Sequence, residues 1–169
     1  MPDATELELT AQELRDAHRE SILDTEFHRG RATLVADPPQ IKPVLEHLKS
    51  KGYAFLASVH GVDYYPHEPR LGVLYELLDR ERVDRISVKA RVHTEDPRID
   101  SVVDLFPSAD FQERETYDMF GVVFDGHPDL RRILMPEDYE GYPQRRDFPL
   151  GGEPVLFTYN EEQNYGKYV

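Results

Sequence analysis

The residues best equipped for chemistry are concentrated between positions 113 and 149, which read ERETYDMFGVVFDGHPDLRRILMPEDYEGYPQRRDFP. Arg131, Arg132, Arg145 and Arg146 are the strongest positive groups of an otherwise acidic chain. Guanidinium groups form bidentate pairs with carboxylates and stack on aromatic rings, so they suit both loop fixing and protein interfaces. Asp138 and Asp147 are their natural local partners, and a neighbouring protein's carboxylates are the other choice; the two roles are compatible. His127-Pro128 offers a ligand or a proton carrier, although a loop histidine held by a backbone hydrogen bond is the simpler reading. Asp138 and Glu140 are spaced as a carboxylate pair that acid–base work could use. Tyr117, Phe120, Phe124 and Phe148 add apolar area among these polar groups. A segment of this kind has many polar atoms to satisfy once packed. It suits an irregular, defined surface held against other protein better than a core.

Elsewhere the chain offers little that would do chemistry. It has no cysteine, which excludes disulfides, cysteine-ligated iron–sulfur clusters and a thiol nucleophile within these residues. No GxGxxG follows a strand and no GxxxxGK[ST] occurs, so a nucleotide fold has no support. His60, His67 and His93 stand near Asp63, Glu68 and Glu95 without a zinc-like spacing. The formal net charge of −13 argues against nucleic acid and anionic lipid as partners and permits basic protein surfaces. The acidic start MPDATELELTAQELRD lacks the basic and apolar parts of a signal peptide. No window approaches the roughly 20 apolar residues of a membrane span, so membrane association is expected to be indirect.

These groups need a scaffold, and 169 residues with 39% hydrophobic content supply about one core. Thr10 and Glu13 form a possible capping box, predicting a helix from Ala11 to Glu20 with Leu14 and Ala17 on one side. Ile22–His28 and Arg31–Ala36 read as strands around Arg29-Gly30, with Ala32 and Leu34 opposite Thr33 and Val35. Ile41, Val44, Leu45 and Leu48 recur at helical intervals, and Gly52 ends that helix. Strands then follow in Tyr53–Tyr65, Leu71–Leu78 and Asp84–Val92, as an antiparallel meander. His93–Asp100 is a polar connection, and Val102–Phe106 a short turn. Ser108 is an expected N-cap for a helix from Phe111 to Phe120, stopped by Gly121. On that helix Glu113, Tyr117 and Phe120 share one side, while Phe111, Glu115 and Met119 share another. Arg114 and Asp118 are four apart and can pair. The helix is either amphipathic with solvated charges, or packed on both sides with Glu113 and Glu115 answering arginines. Leu130–Leu134 reads as a single turn. The order α-β-β-α-β-β-β predicts an α+β fold: a mostly antiparallel sheet with helices on one face, followed by an irregular, loop-rich C-terminal segment. We expect a core domain over residues 1–106, the signature helix and interface loops over 107–150, and an extended tail over 151–169.

The same segment resembles the signature of the 30 kDa subunit family of respiratory complex I, the bacterial NADH-quinone oxidoreductase or NDH-1. The likeness is carried by ERETYDMFGVVFDGHPDLRRILMPEDYEGYPQRRDFPL at Glu113–Leu150 and, more weakly, by FLASVHGVDYY at Phe55–Tyr65. Gln144 and Tyr142 depart from the family pattern, which usually has Leu and His there. The resemblance implies a subunit with no cofactor or catalytic residue of its own. It implies placement in the hydrophilic arm beside the 49 kDa subunit and the iron–sulfur subunits, with FMN and iron–sulfur clusters carried by those partners. It implies attachment to the cytoplasmic side of the cell membrane through the complex. Tyr117, Phe120, Phe124, His127, Arg131, Arg132, Arg145, Arg146 and Phe148 are the expected interface residues. Two other readings stand beside this one. One is the equivalent subunit of a membrane-bound hydrogenase or a ferredoxin- or F420H2-dependent dehydrogenase. The other is a free-standing hydrolase or isomerase using His127 with Asp129 or Asp138.

Overall fold

The structure is a computed structural model that describes residues 4–149. Five strands form one sheet in the order β1-β2-β5-β4-β3, with ranges Ile22–His28, Arg31–Ala36, Phe55–Asp63, Leu71–Asp79 and Asp84–Val92 for β1 to β5. The β1–β2 hairpin turns on Arg29 and Gly30, both at positive φ (52° and 74°), the backbone a tight two-residue hairpin demands. β3, β4 and β5 form the expected antiparallel meander. The hairpin joins it through a parallel β2–β5 pairing at the centre of the sheet, which strand alternation alone does not reveal. Residues 37–54 make the crossover: a 3-10 turn at Pro38–Gln40 and helix α2, Ile41–Ser50.

Strand alternation puts matching rows on one face. Leu56, Leu77, Ile86 and Ala32 are in register across four strands, as are Val59, Tyr75, Val88 and Leu34. All eight are buried, together with Leu7, Ala11 and Leu14 of helix α1 (Ala4–Ala17) and Ile41, Val44, Leu45 and Leu48 of α2. Full burial of one such aliphatic side chain contributes roughly 1.5–3 kcal/mol. Helix α1 therefore extends well before the expected Ala11 start. The 7, 11, 14 spacing of its buried residues sets its inner face, and Thr10 lies inside the helix rather than at its cap, while Ala17 is exposed.

Helix α3, Ala109–Phe120, lies along the β3 edge, where the Gln112 side-chain oxygen accepts the Val59 amide. An otherwise open strand edge is covered in this way. Ser108 is helical in its backbone and its hydroxyl points to the Leu56 carbonyl at 3.4 Å, so it does not cap α3 as expected. Gly121 does end it, at φ 75°. Within the expected polar connection, Arg98–Asp100 forms a short strand β6, which pairs in parallel with β7, Val123–Asp125. This pairing crosses the division expected at residue 106, and Val102, Phe106, Phe120 and Phe124 belong to the same buried cluster as the sheet. Leu130–Leu134 is an irregular loop with a bend at Ile133 and Leu134, not a helical turn. The expected tail, 151–169, lies outside the described residues.

Candidate functional site

Three buried or half-buried charges organise residues 98–149. The first is Asp118, near the end of α3 and fully buried. One of its oxygens accepts the amides of Ile133, Leu134 and Met135 at 3.0, 2.7 and 2.8 Å. The other accepts from Nη1 of Arg132 at 2.6 Å. Burial alone would raise the Asp118 carboxyl. The Met135 amide, the Arg132 guanidinium and the two further amides outweigh burial and hold it below the usual carboxylate range. Arg132 also donates to the Asp118 and Gly141 carbonyls. The loop after Leu130 is thus wrapped around one carboxylate, which is why no helical turn forms there. The expected Arg114–Asp118 pair is not made. Arg114 instead donates from Nε to the Arg131 carbonyl and from Nη2 to the Arg132 carbonyl, each at 3.2 Å.

The second is Glu113, which accepts from the Ser101 hydroxyl at 2.6 Å and the Val102 amide at 2.8 Å, with no arginine paired to it among the described residues. Burial pushes its carboxyl up, against those two hydrogen bonds and the nearby His127. The His127 imidazole is fully buried. Its Nδ1 accepts the Asp129 amide at 3.0 Å, so in the neutral ring Nε2 carries the proton and donates to the Asp110 carbonyl at 3.2 Å. Both nitrogens are therefore engaged by main chain, in line with the simpler reading. That leaves the ring no free lone pair for chemistry with Asp129 or Asp138. Glu115, paired with Glu113 in the sequence reading, is exposed.

The third is Arg70, just before β4. It grips Asp63 through Nε and Nη2 at 2.7 and 2.6 Å and Asp147 through Nη1 and Nη2 at 2.7 Å each. Asp63 also accepts the amides of Tyr65 and Arg146. The Arg70 guanidinium holds the Asp63 carboxyl far below its ordinary range, with the same direction at Asp147. The sheet end is thereby pinned to the last described loop. Asp147, expected beside the neighbouring arginines, is taken by a residue 77 positions away.

The interface candidates fall into two groups. Phe120, Phe124 and His127 are buried within the chain, and the Arg132 side chain is nearly so. Arg145 donates to the Phe120 carbonyl at 2.6 Å and lies 4.6 Å from the Tyr142 ring centre, where burial lowers its pKa. Tyr117 meets Tyr142 edge-on, and Phe148 stacks on Tyr139. These side chains shape the segment from inside. Arg131 is exposed and paired with Asp129. Arg146 is exposed, fixed by its amide alone, and its guanidinium has no partner among the described residues. Sequence reasoning missed Arg70 and the central place of Asp118. Asp118 had a usable signal, a carboxylate on a helix flank just before the stop glycine and its aromatic neighbour. Arg70 had none, because Asp63 is reached across an irregular loop and Asp147 is 77 positions away. Gly121 is required twice over: its φ is positive, and a Cβ would stand 2.5 Å from the Tyr142 ring and 2.7 Å from Arg145. Among the described residues no group of three or more His, Cys, Asp or Glu is arranged to hold a metal, and no helix is long and apolar enough to cross a membrane.

A family profile described as the respiratory-chain NADH dehydrogenase 30 kDa subunit matches residues 34–154. The NADH-quinone oxidoreductase C-subunit of Roseiflexus sp. (strain RS-1) is 42% identical over 91% of this chain and 90% of its own. Its namesake from Saccharopolyspora erythraea is 46% identical over 85% of this chain but only 59% of its own length. NADH-quinone oxidoreductase subunit 5 of Thermus thermophilus is 45% identical over 76% of this chain and 66% of its own. Among solved structures, the trypsin-resistant fragment 1–134 of Nqo5 superposes with a TM-score of 0.63 at 38% identity, covering 73% of this chain and 98% of the fragment. A chain of an archaeal membrane-bound sulfane sulfur reductase complex shares the fold, with a TM-score of 0.69 at 22% identity over 96% of this chain and 94% of its own.

Proposed function

The chain belongs to the 30 kDa subunit family of the respiratory-chain NADH dehydrogenase, and on that premise we propose that it is a bracing subunit in the hydrophilic arm of an NADH:quinone oxidoreductase. It performs no chemistry itself. It holds the 49 kDa subunit and the iron–sulfur subunits in fixed relation on the cytoplasmic side of the membrane, with FMN and the clusters housed in those partners. Electron tunnelling falls steeply with distance, so a rigid spacer matters even though it carries no redox centre.

The observation that carries this reading is the use made of the signature carboxylates. Asp118, Glu113 and Asp63 each accept two or more hydrogen bonds from their own chain, so they set shape instead of meeting a substrate. Loops that are usually mobile are fixed at both ends, the condition for presenting a preorganised docking surface. Affinity isolation of the tagged full-length chain from native membranes tests it. Recovery with a 49 kDa-type subunit, iron–sulfur subunits and an NADH-binding, FMN-carrying subunit is the expected result. Recovery with hydrogenase or F420H2-dehydrogenase subunits instead would assign the chain to a related complex. Recovery alone, with turnover by the isolated chain, would refute the reading.

A further inference from the structure

Three large apolar side chains of the signature segment are exposed: Phe111 at 63%, Leu134 at 60% and Ile133 at 37%. Arg114 is the strut between them. Its guanidinium stands 5.8 Å from the Phe111 ring centre, and its Nη2 reaches the Arg132 carbonyl next to Ile133. The backbone beneath Ile133 and Leu134 is fixed by the Asp118 carboxylate, which accepts both of their amides. Single exposed apolar residues are ordinary; two adjacent ones on a loop held by a buried carboxylate, with a third across one arginine, are not.

The charge around the cluster states what it fits. In a chain with net charge −13, Arg114 has no carboxylate partner among the described residues. Two of its three nitrogens serve main-chain carbonyls, and Nη1 has no partner among the described residues. An aromatic and apolar centre beside an arginine, on backbone whose ordering cost is already met, matches the composition of an interface core.

We propose that Phe111, Ile133, Leu134 and Arg114 form a docking surface for an apolar segment of a neighbouring oxidoreductase subunit that carries a carboxylate opposite Arg114. This rests on the bracing function proposed above and adds the surface that performs it. The residues concerned are not the buried aromatics of the signature but the side chains the buried carboxylate holds out.

The test uses the tagged full-length chain in its native membrane complex. Leu134→Asp and Phe111→Asp place a charge where the apolar contact forms and next to the carboxylate proposed to lie there. Recovery of the partner subunits is expected to fall at least tenfold for each, while the purified variants keep the wild-type circular dichroism and unfolding midpoint. A photo-crosslinking residue at position 134 is expected to attach to another subunit of the same complex, at a segment with apolar residues and an Asp or Glu. Normal recovery for both variants, with wild type also recovering partners, overturns the surface and leaves the bracing function standing. Loss of partners by wild type as well removes both. A crosslink to a second copy of this chain, or to a segment without a carboxylate, overturns the proposed occupant. If either variant is unfolded, Leu134→Ala takes its place, with the same two outcomes.

Discussion

Replacing Asp118 with Asn keeps the volume and removes the charge at the centre of the loop. The carboxylate accepts three amides on one oxygen and the Arg132 guanidinium on the other. An asparagine has one acceptor oxygen, so either the amides or the guanidinium must face an NH2 group. Removing one partner of a buried ion pair costs about 3–5 kcal/mol. Arg132 is 12% exposed and keeps its bonds to the Asp118 and Gly141 carbonyls, which places the expected loss at the lower end, about 3 kcal/mol. Against a typical net stability of about 5–15 kcal/mol that is a large fraction. Urea unfolding of the purified chain at pH 7.5 measures it, and hydrogen exchange at the amides of residues 133–135 localises it. Asp118 is depressed in the folded state, so its stabilisation is present above the unfolded carboxylate value of about 3.9 and is lost as pH falls through the lower folded value. The gap between wild type and variant should therefore shrink below about pH 4. A loss under about 1 kcal/mol at pH 7.5, or unchanged protection at those three amides, would show that the carboxylate is not what holds the loop.

Arg70→Lys exchanges two bidentate grips for a single point charge and leaves Asp63 short of donors; a loss of about 2 kcal/mol in chemical denaturation, with faster proteolysis near residues 142–149, is expected. Glu113→Gln preserves an acceptor for Val102 while removing a charge that burial disfavours. Because the folded carboxyl is raised, wild-type stability should fall as pH rises above the unfolded value of about 4.3, and the variant should show a flatter profile in thermal unfolding from pH 4 to 8. The Tyr75 hydroxyl is buried without a hydrogen-bond partner among the described residues, so Tyr75→Phe is expected to raise stability by about 1 kcal/mol; a drop of similar size would reveal a bound water serving that oxygen.

The strands and α2 were legible because their patterns are local. The alternation of Ile86, Val88, Ala90 and Val92 and the 41, 44, 45, 48 spacing each need only neighbours in sequence to be recognised. What escaped was long-range. The β6–β7 pairing is three residues long with one buried residue in each strand, Ile99 and Phe124, which is too short for a period to register. α1 begins well before the Thr10–Glu13 capping motif, because Leu7 is part of its inner face and its burial becomes visible only against the sheet. At the site, residue types pointed to the right segment and to paired charges within it. The partners were misassigned because sequence proximity stood in for spatial proximity: Asp147 beside Arg145 and Arg146 belongs to Arg70, and Asp118 four residues from Arg114 belongs to Arg132. A short-range rule suits an exposed helix face, and the Asp118 flank of this helix is covered by its own downstream loop.

The parallel seam between β2 and β5 has a bearing on how the polypeptide is made. Val35 must wait for Lys89, more than fifty positions later, before its strand has a neighbour on that side. Until that stretch leaves the ribosome, the first hairpin presents a bare row of amides and carbonyls to any sticky passer-by. Cutting the gene anywhere between codons 37 and 84 would strand that hairpin permanently, so halves produced separately should precipitate unless they are synthesised together.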